Sequence, residues 1–158
     1  METKNNQQIK APALELKQLE IFKGKWKIDG KNFPIAPSGG EAPIHGEDNY
    51  TWLKGNFYLV NNWKHLFDDG GHQGISILGF DDELSKLFTK NFDNFGIERK
   101  YILENENGKW KFNGDKERAT REFSKDGKSY IEHWEMKNNE GKWTPLCLMN
   151  GTKEQENN

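Results

Sequence analysis

Hairpin turns punctuate this chain, and each of them dictates which residues stand opposite one another. Gly55-Asn56, Asn107-Gly108 and Asp126-Gly127 are pairs that reach the φ > 0 conformations tight β-hairpin loops require. Side chains alternate along a strand, so a turn that fixes the register also fixes the face each residue occupies. Around Asn107-Gly108 the register sets Leu103 opposite Phe112 and Asn105 opposite Trp110. Around Asp126-Gly127 it sets Phe123 opposite Tyr130, Arg121 opposite Glu132, and Ala119 opposite Trp134. One face of the ribbon is therefore mostly aromatic yet carries an arginine and a glutamate. A barrel with a partly polar interior accommodates such a face.

The rest of the chain keeps the same period. Strand-like segments run from Lys25, then over Glu47–Lys54, Asn56–Leu66, Gln73–Phe80, Leu84–Asp93, Ile97–Asn105, Lys109–Asp115, Glu117–Ser124, Lys128–Lys137 and Lys142–Lys153. About ten strands with short connections favour an up-and-down antiparallel meander, which closes to remove its edges. The Pro/Gly-rich stretch Phe33–Gly46 reads as a long loop. Between Pro12 and Lys23, Leu16, Leu19 and Phe22, or alternatively Leu14 and Ile21, can share a face at three- and four-residue spacing, and Gly24 ends the run. That is a helix of two or three turns, too short to stand alone and expected to dock on a barrel end. Residues 1–12 and 154–158 read as frayed ends, leaving 13–153 as one domain.

Composition narrows the functional classes. Only 33% of residues are hydrophobic, but six Trp and ten Phe concentrate the apolar content in large rings, which a disordered chain would lack. A net charge of -2 with interspersed signs gives no basic stripe for nucleic acid. Met1 to Lys10 lacks an apolar signal core, and no apolar run approaches membrane-spanning length. The single Cys147 excludes an intrachain disulfide and is compatible with a reducing compartment, so a cytoplasmic protein is expected.

The hairpin registers assign an inward face. Tyr50, Trp52, Phe57, Leu59, Asn61, Trp63 and His65 group together; Arg99, Tyr101, Leu103, Trp110 and Phe112 form a second set. A third set holds Arg121, Phe123, Tyr130, Glu132 and Trp134, with Arg118, His133 and Glu135 outside. Trp143, Pro145, Cys147 and Met149 join the side of Trp134, which leaves Leu146 and Leu148 outward. A bulge near Pro145 or an apolar partner surface would explain those outward leucines. Phe88 and Phe92 share a face with Lys86 and Lys90, whose stems can lie along apolar surface, and are assigned inward near an open mouth.

Buried ions pair, meet water or await a ligand. Arg121 and Glu132 can satisfy each other. Arg99 has no carboxylate opposite it in its own hairpin, so it reaches Glu132 across the lumen or takes a ligand's acidic group. His45, His65, His72 and His133 have no metal-site spacing and no carboxylate cluster. Cys147 reads as a core thiol, and Gly39-Gly40 and Gly70-Gly71 are isolated pairs.

Several short landmarks line up: Gly24-x-Trp26, Tyr50-x-Trp52-x-x-Gly55-x-Phe57, Gly79-Phe80-Asp81, Phe92-Asp93-x-x-Gly96 and Gly141-x-Trp143. From Phe22 to Lys153 the chain resembles the uncharacterised family known as domain of unknown function 1579. Its Gly-x-Trp opening is similar to that of calycin-type barrels such as lipocalins, fatty-acid-binding proteins and nitrobindins. The resemblance implies a calycin-like β-barrel with a short helix at one end, and no activity. A nitrobindin-type haem site needs an inward His on a late strand, and the parity of His133 argues against one, so no cofactor and no metal are expected.

Three functions fit these residues. The first is a non-catalytic binder of a small hydrophobic or aromatic ligand bearing an acidic group. Trp26, Trp52, Phe57, Asn61, Trp63, Tyr101, Trp134 and Met149 would line its cavity with Glu132, and Arg99 or Arg121 would anchor the acid. The second is an enzyme of isomerase, cyclase or hydratase type, with Glu132 or His65 as acid/base and Tyr101 or Tyr130 as proton donor. The third is a filled barrel that acts through Leu146 and Leu148, as in a homodimer. Neither nucleic acid nor membrane is an expected partner.

Overall fold

The computed structural model describes residues 10–34, 40–67 and 70–157. Ten strands follow one another as β1 (Gly24–Asn32), β2 (Ala42–Trp52), β3 (Leu59–Phe67), β4 (Gly70–Asp81) and β5 (Lys86–Asp93), then β6 (Glu98–Glu106), β7 (Lys109–Asn113), β8 (Glu117–Phe123), β9 (Ser129–Lys137) and β10 (Trp143–Lys153). Each pairs antiparallel with its neighbour in sequence. β10 also pairs with β1, from Trp26↔Lys153 to Asn32↔Cys147, and the sheet closes. The all-β meander barrel read from the sequence is the architecture observed, and closure leaves no edge strand exposed. No helix among the described residues is long and apolar enough to cross a membrane.

The turns set the register as expected. Tyr50 faces Asn61, Leu103 faces Phe112, and Arg121 faces Glu132. Asn107 and Gly108 both hold positive φ, at 54° and 88°, so this is a two-residue loop with both central residues left-handed. The other two loops are longer. Leu53 and Tyr58 close the β2–β3 loop with an N–H···O bond of 3.0 Å, which puts Phe57 in the loop and outside the strand face assigned to it.

Three segments differ from the sequence reading. β2 begins at Ala42, inside the stretch read as loop; residues 35–39 of that stretch lie outside the described residues. Pro43 is tolerated because it pairs with Lys31 of β1 but lies beyond the last β3 pair at His45, where the strand has one neighbour. In β5, Leu87 and Thr89 are buried while Phe92 is 41% exposed, so Phe88 and Phe92 face outward. Lys100 sits over the Phe88 ring at 5.5 Å on that outer surface. In β10, Pro145 pairs with Glu135 but Cys147 pairs with Trp134. Leu146 is the extra residue of a bulge. The bulge turns Leu146 inward, and Trp143 and Pro145 lie outside, Trp143 under the Arg118 guanidinium at 4.2 Å. The Leu146/Leu148 patch that reading assigns to a homodimer is therefore not formed.

Successive hairpins alternate between the two barrel ends. A 3₁₀ helix, Leu14–Phe22, plugs the end that carries the β2–β3, β4–β5, β6–β7 and β8–β9 turns. Its buried residues, Leu16, Leu19 and Phe22, repeat every third position, which matches three residues per turn. Phe22 is fully buried and packs edge-on against Trp110 at 4.9 Å and Phe123 at 5.3 Å. Of the ends read as frayed, residues 1–9 and 158 lie outside the described residues. Glu154 is still tied to the barrel, its N–H donating to the Lys25 carbonyl at 2.8 Å.

Candidate functional site

Above the helical plug the barrel encloses a cavity of about 290 Å³. Asn61, Trp63, His65, Arg99, Tyr101, Arg121, Glu132, Trp134 and Met149 line it, as the facing pattern predicts. Trp26, Trp52 and Phe57 do not. Trp26 is fully buried at the plugged end, where its Nε1 donates to the Phe22 carbonyl at 2.7 Å. Trp52 lies beside the helix and donates to Glu20 Oε2 at 2.7 Å. Tyr130 also misses the cavity. Its ring packs flat against the backbone of β10, and a Cβ on Gly151 would lie 2.2 Å from its Cε1.

The cavity floor is a sealed ion pair. Arg121 Nε donates to Glu132 Oε2 at 2.5 Å, and the two side chains are only 5% and 3% exposed. Glu132 Oε1 accepts the Trp134 indole N–H at 2.7 Å. Arg121 Nη1 reaches the Tyr50 hydroxyl at 3.3 Å, and its guanidinium lies 3.9 Å from the Tyr130 ring centroid and 5.0 Å from that of Phe22. Burial opposes the Arg121 charge, but Glu132 and the surrounding phenols outweigh it and hold the proton firmly. Both oxygens of Glu132 are thus committed, and the guanidinium is enclosed by rings. Glu132 is a brace rather than a free acid or base.

The mouth carries a second polar network. Arg99 Nη1 donates to Asp93 Oδ2 at 2.8 Å, and its Nε lies 3.4 Å from Glu117 Oε2. Arg99 therefore meets two carboxylates from flanking turns and strands, not Glu132 across the lumen. Asp93 also bonds His72 Nε2 at 3.0 Å, and its Oδ1 accepts the N–H groups of Phe95 and Ile97. Although burial pushes the other way, these donors hold the Asp93 carboxyl well below the usual carboxylate range. Tyr101 donates its hydroxyl to Glu117 Oε2 at 2.7 Å, and burial together with that bond pushes the phenol up. His65 Nε2 lies 2.9 Å from Asp48 Oδ1. Three histidines thus have single carboxylate partners, His45 with Asp29 on the outer surface being the third.

Among the cavity residues that the site assignment missed are Asp48, His72 and Glu117, with Ser76, Thr89 and Asn91 beside them. Asp48 follows from the register, two positions before inward Tyr50. His72 is the third residue of β4, one before the strand start read from the sequence and directly after Gly70 and Gly71, where no alternation shows. For acid–base chemistry the arrangement leaves His65, oriented by Asp48; Glu132 and Tyr130 are sealed. Burial, then the charges of Glu132 and Glu117, push the Cys147 thiol up to about 12, so it is no nucleophile. Among the described residues no group of three or more His, Cys, Asp or Glu side chains is placed to hold a metal ion. His133 is exposed on the outer face, as its parity predicts. Among the described residues, Trp63 Nε1 is the buried side-chain polar atom without a hydrogen-bond partner.

An all-β closed barrel of ten strands with one short helix at its plugged end is a calycin-like fold, and solved structures bear this out. The chain is similar to Rv2717c from M. tuberculosis, with a TM-score of 0.65 at 13% identity over 91% of this chain and 99% of that one. It is also similar to the S-type phycobiliprotein lyase CPES from Guillardia theta, with a TM-score of 0.54 at 10% identity over 89% of this chain and 93% of that one. The zebrafish ileal bile acid-binding protein, complexed with cholic acid, gives 0.52 at 15% identity over 85% of this chain and 99% of that one. At such identities the likeness is one of fold. No protein-family model matches the chain, and no curated protein does.

Proposed function

We propose that the barrel binds a compact, largely apolar molecule, aromatic or aliphatic, inside its lumen. The observation that carries this reading is the cavity itself, about 290 Å³ between a sealed floor and a polar mouth. Ligand sites start at about 300 Å³, so the occupant is small. A barrel serving only as a rigid body would be expected to fill that space, because interiors pack like crystals. The fold shared with a bile acid-binding protein and a phycobiliprotein lyase supports the reading by analogy alone.

The acidic head group expected from Arg99 and Arg121 loses its support. Arg121 is sealed beneath Glu132, and an acid at Arg99 would compete with Asp93 and Glu117. The finer family assignment, a divergent member of domain of unknown function 1579, is also a proposal. It is supported by Gly24-x-Trp26 opening β1 and by the Tyr50–Phe57 hairpin motif. A cytoplasmic location is supported by the free Cys147 thiol.

A thermal-shift panel of small aromatic and aliphatic compounds with acidic, neutral and basic ends tests the reading. A ligand at a hundredfold excess over its Kd stabilises by about 2.7 kcal/mol, a rise of about 5–10 °C for a domain of this size. A panel that leaves the Tm unmoved throughout argues for a filled barrel.

A further inference from the structure

We infer that the ligand's polar end is a cation, the ammonium of a small hydrophobic amine, and that Asp48 holds it. The inference rests on the cavity-binding reading above and adds the chemistry of the head group. Three carboxylates line the cavity, Asp48, Glu117 and Glu132, against two guanidiniums, Arg99 and Arg121. Glu132 satisfies Arg121. Arg99 is shared between Glu117 and Asp93, and Asp93 is itself buried, its side chain 1% exposed. Four carboxylates, Asp48, Asp93, Glu117 and Glu132, thus stand in and around the lumen against two guanidiniums, with the His65 and His72 rings beside Asp48 and Asp93, and a buried carboxylate oxygen calls for a donor or a counter-ion.

Asp48 is where such an oxygen opens onto the lumen. The residue is 4% exposed. Its Oδ1 bonds His65 Nε2 at 2.9 Å, while its Oδ2 has no partner among the described residues. It lines the cavity, and Oδ2 is not among the buried atoms lacking a partner, so what exposure it has is to the lumen. An ionised carboxylate is acceptor-only, so a group that meets Oδ2 must bring hydrogens. The Tyr101 hydroxyl and Arg99 both converge on Glu117 Oε2, which leaves Glu117 Oε1 as a second acceptor. Trp63, Tyr101 and Trp134 line the same cavity, and aromatic rings attract ammonium groups. Rings and carboxylates together suit an aryl- or alkylammonium and disfavour a carboxylate.

Three probes with one ring system separate the possibilities: 2-(aminomethyl)naphthalene, 2-isopropylnaphthalene and 2-naphthoate, titrated calorimetrically into the full chain at neutral pH. The amine is expected to bind about tenfold tighter than the isopropyl compound, as befits one charge-assisted hydrogen bond, and naphthoate weakest. Asp48→Asn should remove that tenfold advantage and leave the isopropyl compound's affinity unchanged. Equal binding of amine and isopropyl compound would overturn the head-group inference alone. So would tightest binding of naphthoate, or an equal loss of all three ligands in Asp48→Asn. If none of the three binds the native chain, cavity binding fails and the head group falls with it. Should Asp48→Asn not fold, the ranking on the native chain still decides, and Glu117→Gln, expected to weaken only the amine, supplies the second variant.

Discussion

Arg121→Met should destabilise the barrel by about 3–5 kcal/mol, the effect of leaving one member of a buried ion pair without its partner. The stranded group is Glu132, fully enclosed, with Oε2 deprived of its donor and Oε1 still held by Trp134. Glu132→Met should cost a similar amount for the mirror reason. The double variant Arg121→Met/Glu132→Met should recover most of the loss, because two apolar chains of similar volume replace both charges at once. Urea denaturation of the four proteins measures this as a coupling energy. Additive losses, or single losses below about 1 kcal/mol, would mean that the pair is more hydrated than its burial implies. The same cycle bears on catalysis: a general acid or base at Glu132 would lose turnover without losing stability, whereas a brace loses stability first.

Phe22→Ala should cost a further large amount, about 3–5 kcal/mol for a buried aromatic truncated to a methyl group. Phe22 joins the plug to the floor. Its ring meets Trp110, Phe123, Tyr50 and the Arg121 guanidinium, and its carbonyl accepts the Trp26 indole. The 3₁₀ helix is too short to persist without this contact, and its Ala13 cap offers no side-chain hydrogen bond. Hydrogen exchange on the variant should therefore release the Leu14–Phe22 amides before those of the strands. A cost below about 1 kcal/mol, with the helix amides still protected, would show the plug to be held by its other residues.

The sequence disclosed the registers because turns are local. Asn107-Gly108 alone sets Leu103 against Phe112, and no distant contact can alter that pairing without breaking the loop. It misled where the inward face is polar. In β5 the residues facing the lumen are Leu87, Thr89 and Asn91, while both phenylalanines face out, so the usual rule of apolar-in picks the wrong phase. A strand bordering a cavity need not bury its most hydrophobic side. The bulge at Leu146 was foreshadowed by the two outward leucines beside Pro145; it turns Leu146 in and leaves Leu148 on the outer face opposite His133. The mouth network was illegible for a related reason: Asp93, His72 and Arg99 come from the neighbouring strands β5, β4 and β6, and the phase that places Phe92 inside places Asp93 outside, away from both partners. Arg99 accordingly looked unpaired in its own hairpin, when its partners lie across the turn at Asp93 and on β8 at Glu117.

Native mass spectrometry of the protein, purified gently from its own host, tests the lumen most directly. The account predicts a minor or major peak heavier than the bare chain by one small organic molecule, released on denaturation and carrying a basic nitrogen. A bare chain at every level of enrichment, joined to a thermal-shift panel without a response, would contradict it and leave a barrel whose interior holds nothing.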